Sequence, residues 1–307
     1  LEWNSLEIWD EQHQSLIKDA FPVPVHSHND YWQRIPLWEA LGSGCISVEA
    51  DIHLKHSDLL VGHDSHSLDK AETLRSLYLN PLQKLIKAQN KETKTKEDWN
   101  GIFNKAPRQS ITLLIDLKTS EPETFAELNA QLQPLRDLNF LTYWNGTHRI
   151  SRPLTIVATG NTLFTSILSL SSTHRDIFFD AKLESLASSN DDWTTESTPL
   201  FKYNVSNSFY ASTPISNARV HGYEFPAGSD EQDEKNQHPQ FKDVMGGQLE
   251  QAKARGLVTR YWDVSKQKNK EESLWRWLME NEVGVLNMDD LGAVRDRARG
   301  WSSSMLK

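Results

Sequence analysis

Residues 25–64 read VHSHNDYWQRIPLWEALGSGCISVEADIHLKHSDLLVGHD. Three short apolar runs begin in or just before this stretch, and each ends on polar side chains. Val23–Val25 stops at His26-Ser27-His28-Asn29-Asp30, Cys45–Val48 at Glu49-Ala50-Asp51, and Leu59–Val61 at Gly62-His63-Asp64. Apolar strand cores that end in His, Asn, Glu or Asp fit a parallel α/β barrel, where the cores fill the interior and the polar groups gather at the carboxyl mouth. The same pattern continues outward. Ile111–Ile115 ends in Asp116-Leu117-Lys118, Leu154–Ala158 is followed by Gly160, and Asp176–Asp180 is a further run. A sixth strand is expected near Phe209–Ala211, a seventh at Leu257–Trp262, and an eighth at Val283–Leu286 before Asn287-Met288-Asp289-Asp290. Helical patterns lie between them: Leu37–Leu41 after Pro36, residues 70–91 with a break at Pro81, the Phe125, Leu128, Leu132, Leu135 face, Asp243–Arg255, Glu271–Glu280 and Val294–Arg299. Alternation of this kind means a parallel sheet. No glycine-rich phosphate turn follows strand one, so a (β/α)8 TIM barrel is predicted over a doubly wound sheet. The chain is expected to form a single catalytic domain over residues 1–307, with a helical arm at about 1–20. Residues 184–199 read as loop, and the segments 184–208 and 223–240 are where substrate specificity is expected to reside.

Length and charge narrow the function. A chain of 307 residues suits a barrel of about 250 residues with insertions. A net charge of −9 lacks the basic footprint of a nucleic-acid binder, and no apolar run is long enough to span a membrane. The chain begins Leu1-Glu2-Trp3 rather than with Met, which reads as a processed or trimmed product and is compatible with a secreted or lumenal location. Its one cysteine, Cys45, sits inside a strand-like run and reads as a buried small hydrophobe. Asn145-Gly146-Thr147 and Asn204-Val205-Ser206 match the glycosylation acceptor pattern, which also arises by chance. Of eleven Trp, those in helical patterns (Trp38, Trp275, Trp277) read as packing, whereas Trp32 and Trp262 follow strand ends and can line a pocket.

The polar strand ends carry the chemistry. Glu49 and Asp51 are two residues apart, so on a continuing strand they leave the same face. Two carboxylates so placed repel unless a cation lies between them, and oxygen ligands suit Mg²⁺ or Ca²⁺. Asn29 adds a neutral oxygen and Asp116 a third carboxylate. His28 and His63 end different strands on either side of the Glu-x-Asp segment and form a candidate acid–base pair. Lys118 shares a face with Asp116 and is a candidate phosphate clamp. His26 is ambiguous: it faces away from the centre or joins His28 on one face. In the second case His26-Ser27-His28 is similar to the His-x-His of zinc amidohydrolase-type barrels, although the later strands supply no further histidines.

Ser27-His28-Asn29-Asp30-Tyr31, then Glu49-Ala50-Asp51, then Gly62-His63 resembles the start of the catalytic barrel of phospholipase C-like phosphodiesterases. In eukaryotic phosphoinositide phospholipases that opening carries a catalytic His and a metal-binding Asn, and the Glu-x-Asp binds the same metal. Asp116-Leu117-Lys118-Thr119 resembles a segment of spider sphingomyelinase D in which the Asp is a metal ligand and the Lys contacts phosphate, and Tyr261-Trp262-Asp263-Val264 resembles its late-barrel segment. The His-Ser-His-Asn-Asp-Tyr opening also resembles the fungal altered inheritance of mitochondria protein 6 family, over most of the chain. The resemblance implies a metal-dependent phosphodiesterase acting on a glycerophosphodiester or phospholipid. One Mg²⁺ or Ca²⁺ would sit on Asn29, Glu49, Asp51 and Asp116, with His28 and His63 as acid and base, Lys118 on the phosphate, and His26 and Trp262 near the pocket. The His-Arg-Gly of glycerophosphodiesterases is absent at strand one, and one cysteine cannot form the disulfide of the spider enzymes. The alternatives are a zinc hydrolase using His26 and His28, and a non-catalytic barrel that binds a lipid headgroup or phosphate.

Overall fold

The computed structural model describes residues 15, 17–93, 95, 97–186, 192–195, 198–218, 239–263 and 268–295. They gather into two compact units, Leu1–Phe179 with Met288–Lys307, and Asp180–Asn287. The strands are β1 (Val23–Ser27), β2 (Cys45–Lys55), β3 (Asp58–Val61), β4 (Ile111–Leu117), β5 (Tyr143–Trp144), β6 (Arg149–Ile150), β7 (Leu154–Gly160), β8 (Ile177–Lys182), β9 (Asp192–Thr195), β10 (Thr198–Phe201), β11 (Ser208–Pro214), β12 (Val258–Trp262) and β13 (Val285–Met288). Strand order in the main sheet is β1-β13-β12-β11-β8-β7-β4-β2-β3, and β1 also pairs with β2. That second pairing closes eight strands into a parallel barrel, the TIM-type fold expected from the alternation.

The barrel strands are apolar on both faces because helices cover the outside and packed side chains fill the inside. Ile111, Leu113, Leu114, Ile115 and Leu117 of β4 are all fully buried, as are Leu154, Ile156, Val157 and Ala158 of β7. The helix Trp38–Gly42 and the helix pair Glu123–Gln131 and Gln133–Asp137 bury the apolar positions expected of them, including Trp38, Phe125, Leu128 and Leu135. At Pro81 the helical run changes hydrogen-bond register rather than stopping: a π-helical turn, Arg75–Leu79, leads directly into the α-helix Asn80–Gln89. Pro81 lies in the first turn of Asn80–Gln89, and its missing N–H falls where the ladder shifts from the π-helical to the α-helical pattern. The 1–20 arm falls mostly outside the described residues, as do the end of the last expected helix and most of the 223–240 loop.

Three elements depart from the sequence reading. First, β2 does not end at Val48 but continues to Lys55, so Glu49 and Asp51 lie within the strand. Its far half folds back as an antiparallel hairpin with β3, pairing Lys55 with Asp58 and Ile52 with Val61. His56 and Ser57 form the two-residue turn with φ of 51° and 67°, the conformation that matches strand twist but that sequence reading associates with Asn-Gly. Second, residues 192–201, read as loop, contain the β9–β10 hairpin. Third, the last barrel strand runs Val285–Met288 rather than Val283–Leu286, which puts Asn287 inside it and Asp289 immediately after it.

Candidate functional site

The first unit brings the acidic residues together. Parallel pairing of β2 with β4 sets Asp51 opposite Asp116, and strand alternation puts Glu49 on the same face as Asp51. Candidate ligand atoms of Glu49, Asp51 and Asp116 all lie within 4.8 Å of one another. Asp51 is fully buried, and its Oδ1 meets no hydrogen-bond donor among the described residues. A buried carboxylate oxygen without a donor is costly unless a cation reaches it. The donor set therefore fits a metal ion: three hard carboxylates, with one oxygen left for it. Gly160 makes room for this cluster. It has φ +68°, and a Cβ there would run into Asp116 Oδ1.

The other oxygen of Asp51 is a meeting point. Oδ2 accepts from the Tyr31 hydroxyl at 2.8 Å, from His63 Nδ1 at 3.1 Å and from Lys118 Nζ at 3.0 Å. Lys118 Nζ also donates to Asp116 Oδ2 at 2.7 Å. Burial works to lower the Lys118 ammonium, but Asp116 and Asp51 together hold it above its ordinary value. Burial raises the Asp116 carboxyl, Lys118 opposes that, and Asp51 and Glu49 add to it, leaving it above the usual carboxylate range. The Tyr31 hydroxyl is pushed far up by burial and by Asp51, so it stays a proton donor. It sits 2.8 Å from Asn29 Oδ1 as well, which links Asn29 to the carboxylate cluster. Asn29 is buried in the left-handed conformation at the turn after β1, a conformation Asn tolerates better than most residues. Below it, Asp30 anchors the turn by accepting from the Ser27 hydroxyl, the Leu37 N–H and the Tyr78 hydroxyl.

Each of the two expected histidines has Nδ1 on a carboxylate. The β2–β3 hairpin carries His63 back beside Asp51, and its ring is half-exposed. His28 donates from Nδ1 to Asp289 Oδ1 at 2.7 Å, while its Nε2 lies 4.0 Å from Glu49 Oε2. The contact forms because the His28 N–H bonds to the Met288 carbonyl at 3.0 Å, which aligns the turn after β1 with the end of β13. The sequence reading placed Asp289 just after strand eight but gave it no role in the site. In a closed barrel the last strand neighbours the first, so an acid just after strand eight was the available signal.

His26 is fully buried. Its Nε2 meets Glu49 Oε2 at 2.9 Å and its Nδ1 meets Ser47 Oγ at 2.7 Å. A carboxylate can only accept, so Nε2 carries the proton and Nδ1 accepts from the serine. Both ring nitrogens are thereby engaged, which leaves no lone pair for a zinc ion and makes His26 a brace for Glu49. Trp32 and Trp262, the two Trp that follow strand ends, are 61% and 36% exposed. The Trp32 ring packs 5.5 Å from that of His63, and Trp262 ends β12 in the second unit.

The model of the AIM6-like phosphodiesterase domain matches residues 14–180. The chain is 32% identical to an altered inheritance of mitochondria protein 6 homolog from Arthroderma benhamiae, over 91% of this chain and 85% of that protein. It is 33% identical to altered inheritance of mitochondria protein 6 from Eremothecium gossypii, over 88% of this chain and 68% of that one. Among solved structures, the phosphatidylinositol-specific phospholipase C from Listeria monocytogenes aligns with 94% of the chain and 97% of its own length, at 9% identity and a TM-score of 0.40.

Proposed function

The chain belongs to the AIM6-like phosphodiesterase domain family, and from that premise we propose that it cleaves a glycerophosphodiester or phospholipid by two-histidine acid–base catalysis. The observation that carries this reading is the pairing of His28 with Asp289 and of His63 with Asp51 around one carboxylate cluster. An Nδ1–H held by a carboxylate fixes the tautomer and turns Nε2 towards substrate, and the nearby charge stabilises the imidazolium formed when Nε2 takes a proton. One histidine accepts the proton of the attacking hydroxyl and the other protonates the leaving oxygen. Where the substrate has a neighbouring hydroxyl, the attack is internal and the product is a cyclic phosphate.

Asn29, Glu49, Asp51 and Asp116 would hold one Mg²⁺ or Ca²⁺, which when bound supplies charge compensation to a non-bridging phosphoryl oxygen. His26 fixes the orientation of Glu49, and the Tyr31 hydroxyl ties Asn29 to Asp51. Lys118 adds a cation beside the cluster for the phosphate. Phosphoryl chemistry of this kind depends mainly on positioning and charge, which these residues supply. The test is turnover of glycerophosphodiesters, lysophospholipids, sphingomyelin and phosphoinositides with Mg²⁺ or Ca²⁺, comparing the wild type with His28→Ala and His63→Ala. Loss of at least one substrate's turnover in both variants supports the reading. Absence of turnover on every substrate sinks it and leaves a barrel that only binds.

A further inference from the structure

The chemistry above does not use the two acceptor triplets, Asn145-Gly146-Thr147 and Asn204-Val205-Ser206. As sequence they are equivalent; the fold makes them different. Asn145 stands at the tip of the β5–β6 hairpin, where Trp144 pairs with Arg149 and the Asn145 N–H bonds to the His148 carbonyl at 3.1 Å. Gly146, Thr147 and His148 are exposed, and Gly146 has φ +101°, which suits the tip of a tight turn. The Asn145 side-chain carbonyl accepts three bonds, from the Thr147 N–H, the Thr147 hydroxyl and the His148 N–H, each at 2.9 Å. The amide plane is therefore fixed through its oxygen. Among the described residues, the nitrogen that a glycan would take has one polar contact, at 3.4 Å to the exposed His148 ring.

Asn204 makes the same local bond, its Oδ1 accepting the Ser206 N–H at 2.9 Å, but its backbone is tied to the chain that follows. Its backbone carbonyl accepts from the Asn207 and Ser208 N–H groups at 3.0 and 2.9 Å, and its own N–H donates to Asn207 Oδ1 at 3.1 Å. Asn207 and Ser208 are buried at the start of β11, and Val205 lies against Gly256. All three residues of that triplet are half-buried, whereas in the first triplet Asn145 is half-buried and Gly146 and Thr147 are exposed.

We propose that Asn145 is the N-glycosylation acceptor of this chain and that Asn204 is not. In the transfer, Asn145 Nδ2 loses one proton and bonds to the anomeric carbon of an oligosaccharide. The bond from that carbon to a lipid-linked diphosphate breaks, and the diphosphate leaves with the electron pair. The position is compatible with activity. The hairpin precedes β7 and bridges to Arg175 just before β8, so it lies at the amino ends of these strands. Asp116 pairs with Thr159 near the carboxyl end of β7. Five residues of strand separate Leu154 from Thr159, roughly 17 Å of rise between the glycan and the carboxylate cluster.

The test is secretion of the chain from a yeast host, with intact mass and glycopeptides compared before and after enzymatic removal of N-linked glycans. The expected result is one glycan, mapped to the peptide that contains Asn145. The mass shift is lost in Asn145→Gln and in Thr147→Ala, and kept in Thr147→Ser and Asn204→Gln. Site mapping on the unaltered chain does not depend on how any variant folds. An unmodified Asn145 in the secreted protein overturns the proposal, and so does a glycan on Asn204.

Discussion

Replacing Asp51 by Asn keeps the shape of the cluster and removes one charge. Asp51 faces two other carboxylates whose candidate ligand atoms lie within 4.8 Å of one another. At that outer separation and an effective dielectric constant near 20, each such pair repels by about 3.5 kcal/mol, so Asp51 carries about 7 kcal/mol of repulsion or somewhat more. Its attraction to Lys118 Nζ, 3.0 Å away, is about 5.5 kcal/mol on the same scale. The two effects cancel to within about 2 kcal/mol. An asparagine also keeps an acceptor for the Tyr31 hydroxyl. Asp51→Asn should therefore leave metal-free stability nearly unchanged or slightly raised, while abolishing the response to divalent ions. In the wild type, Mg²⁺ or Ca²⁺ at a hundred times its dissociation constant should stabilise the fold by about 2.7 kcal/mol. Denaturant unfolding of both proteins, with and without the ion, measures both quantities. Two results would refute the reasoning: an Asp51→Asn protein stabilised by the ion as much as wild type, or one that loses several kcal/mol without the ion.

Three further outcomes are expected. Asp289→Asn should slow turnover by about 10²-fold or more, because the amide no longer fixes the His28 tautomer, while isothermal titration finds ion binding unchanged; equal turnover would remove Asp289 from the mechanism. Gly160→Ala should lose ion binding by the same titration, since its Cβ displaces Asp116, at a stability cost of about 1–2 kcal/mol from the left-handed backbone alone; wild-type affinity would show that Asp116 is not a ligand. Burial pushes Asp30 up from 3.8 to about 6. A carboxyl raised in the folded state binds its proton more tightly there than in the unfolded chain, so its contribution is full below pH 4 and is lost as pH rises towards 6. Unfolding free energies of wild type relative to Asp30→Asn should fall by up to about 3 kcal/mol between pH 4 and pH 7, and a pH-independent difference would contradict the burial argument.

Much of the barrel and of the carboxylate cluster was legible in the sequence. A parallel strand buried on both faces must be a run of Val, Ile, Leu or Ala, and where the run stops the chain meets water. The runs at Val23, Cys45, Ile111 and Leu154 therefore mark barrel strands, although β2 continues past its apolar core. The two-residue period put Glu49 with Asp51 and Asp116 with Lys118, which the structure keeps. Partner choice was not legible, because it depends on which strand lies beside which and in what register. His56-Ser57 lacks the usual turn signature, so the return of His63 to Asp51 could not be read. Asp289 was visible just past the last strand, which runs Val285–Met288 rather than Val283–Leu286, but its pairing with His28 was not. His26 offered two readings until burial and its bonds to Ser47 and Glu49 selected one. Residue chemistry and periodicity are local and survive in the sequence. A hydrogen bond between residues 28 and 289 forms only when the barrel closes.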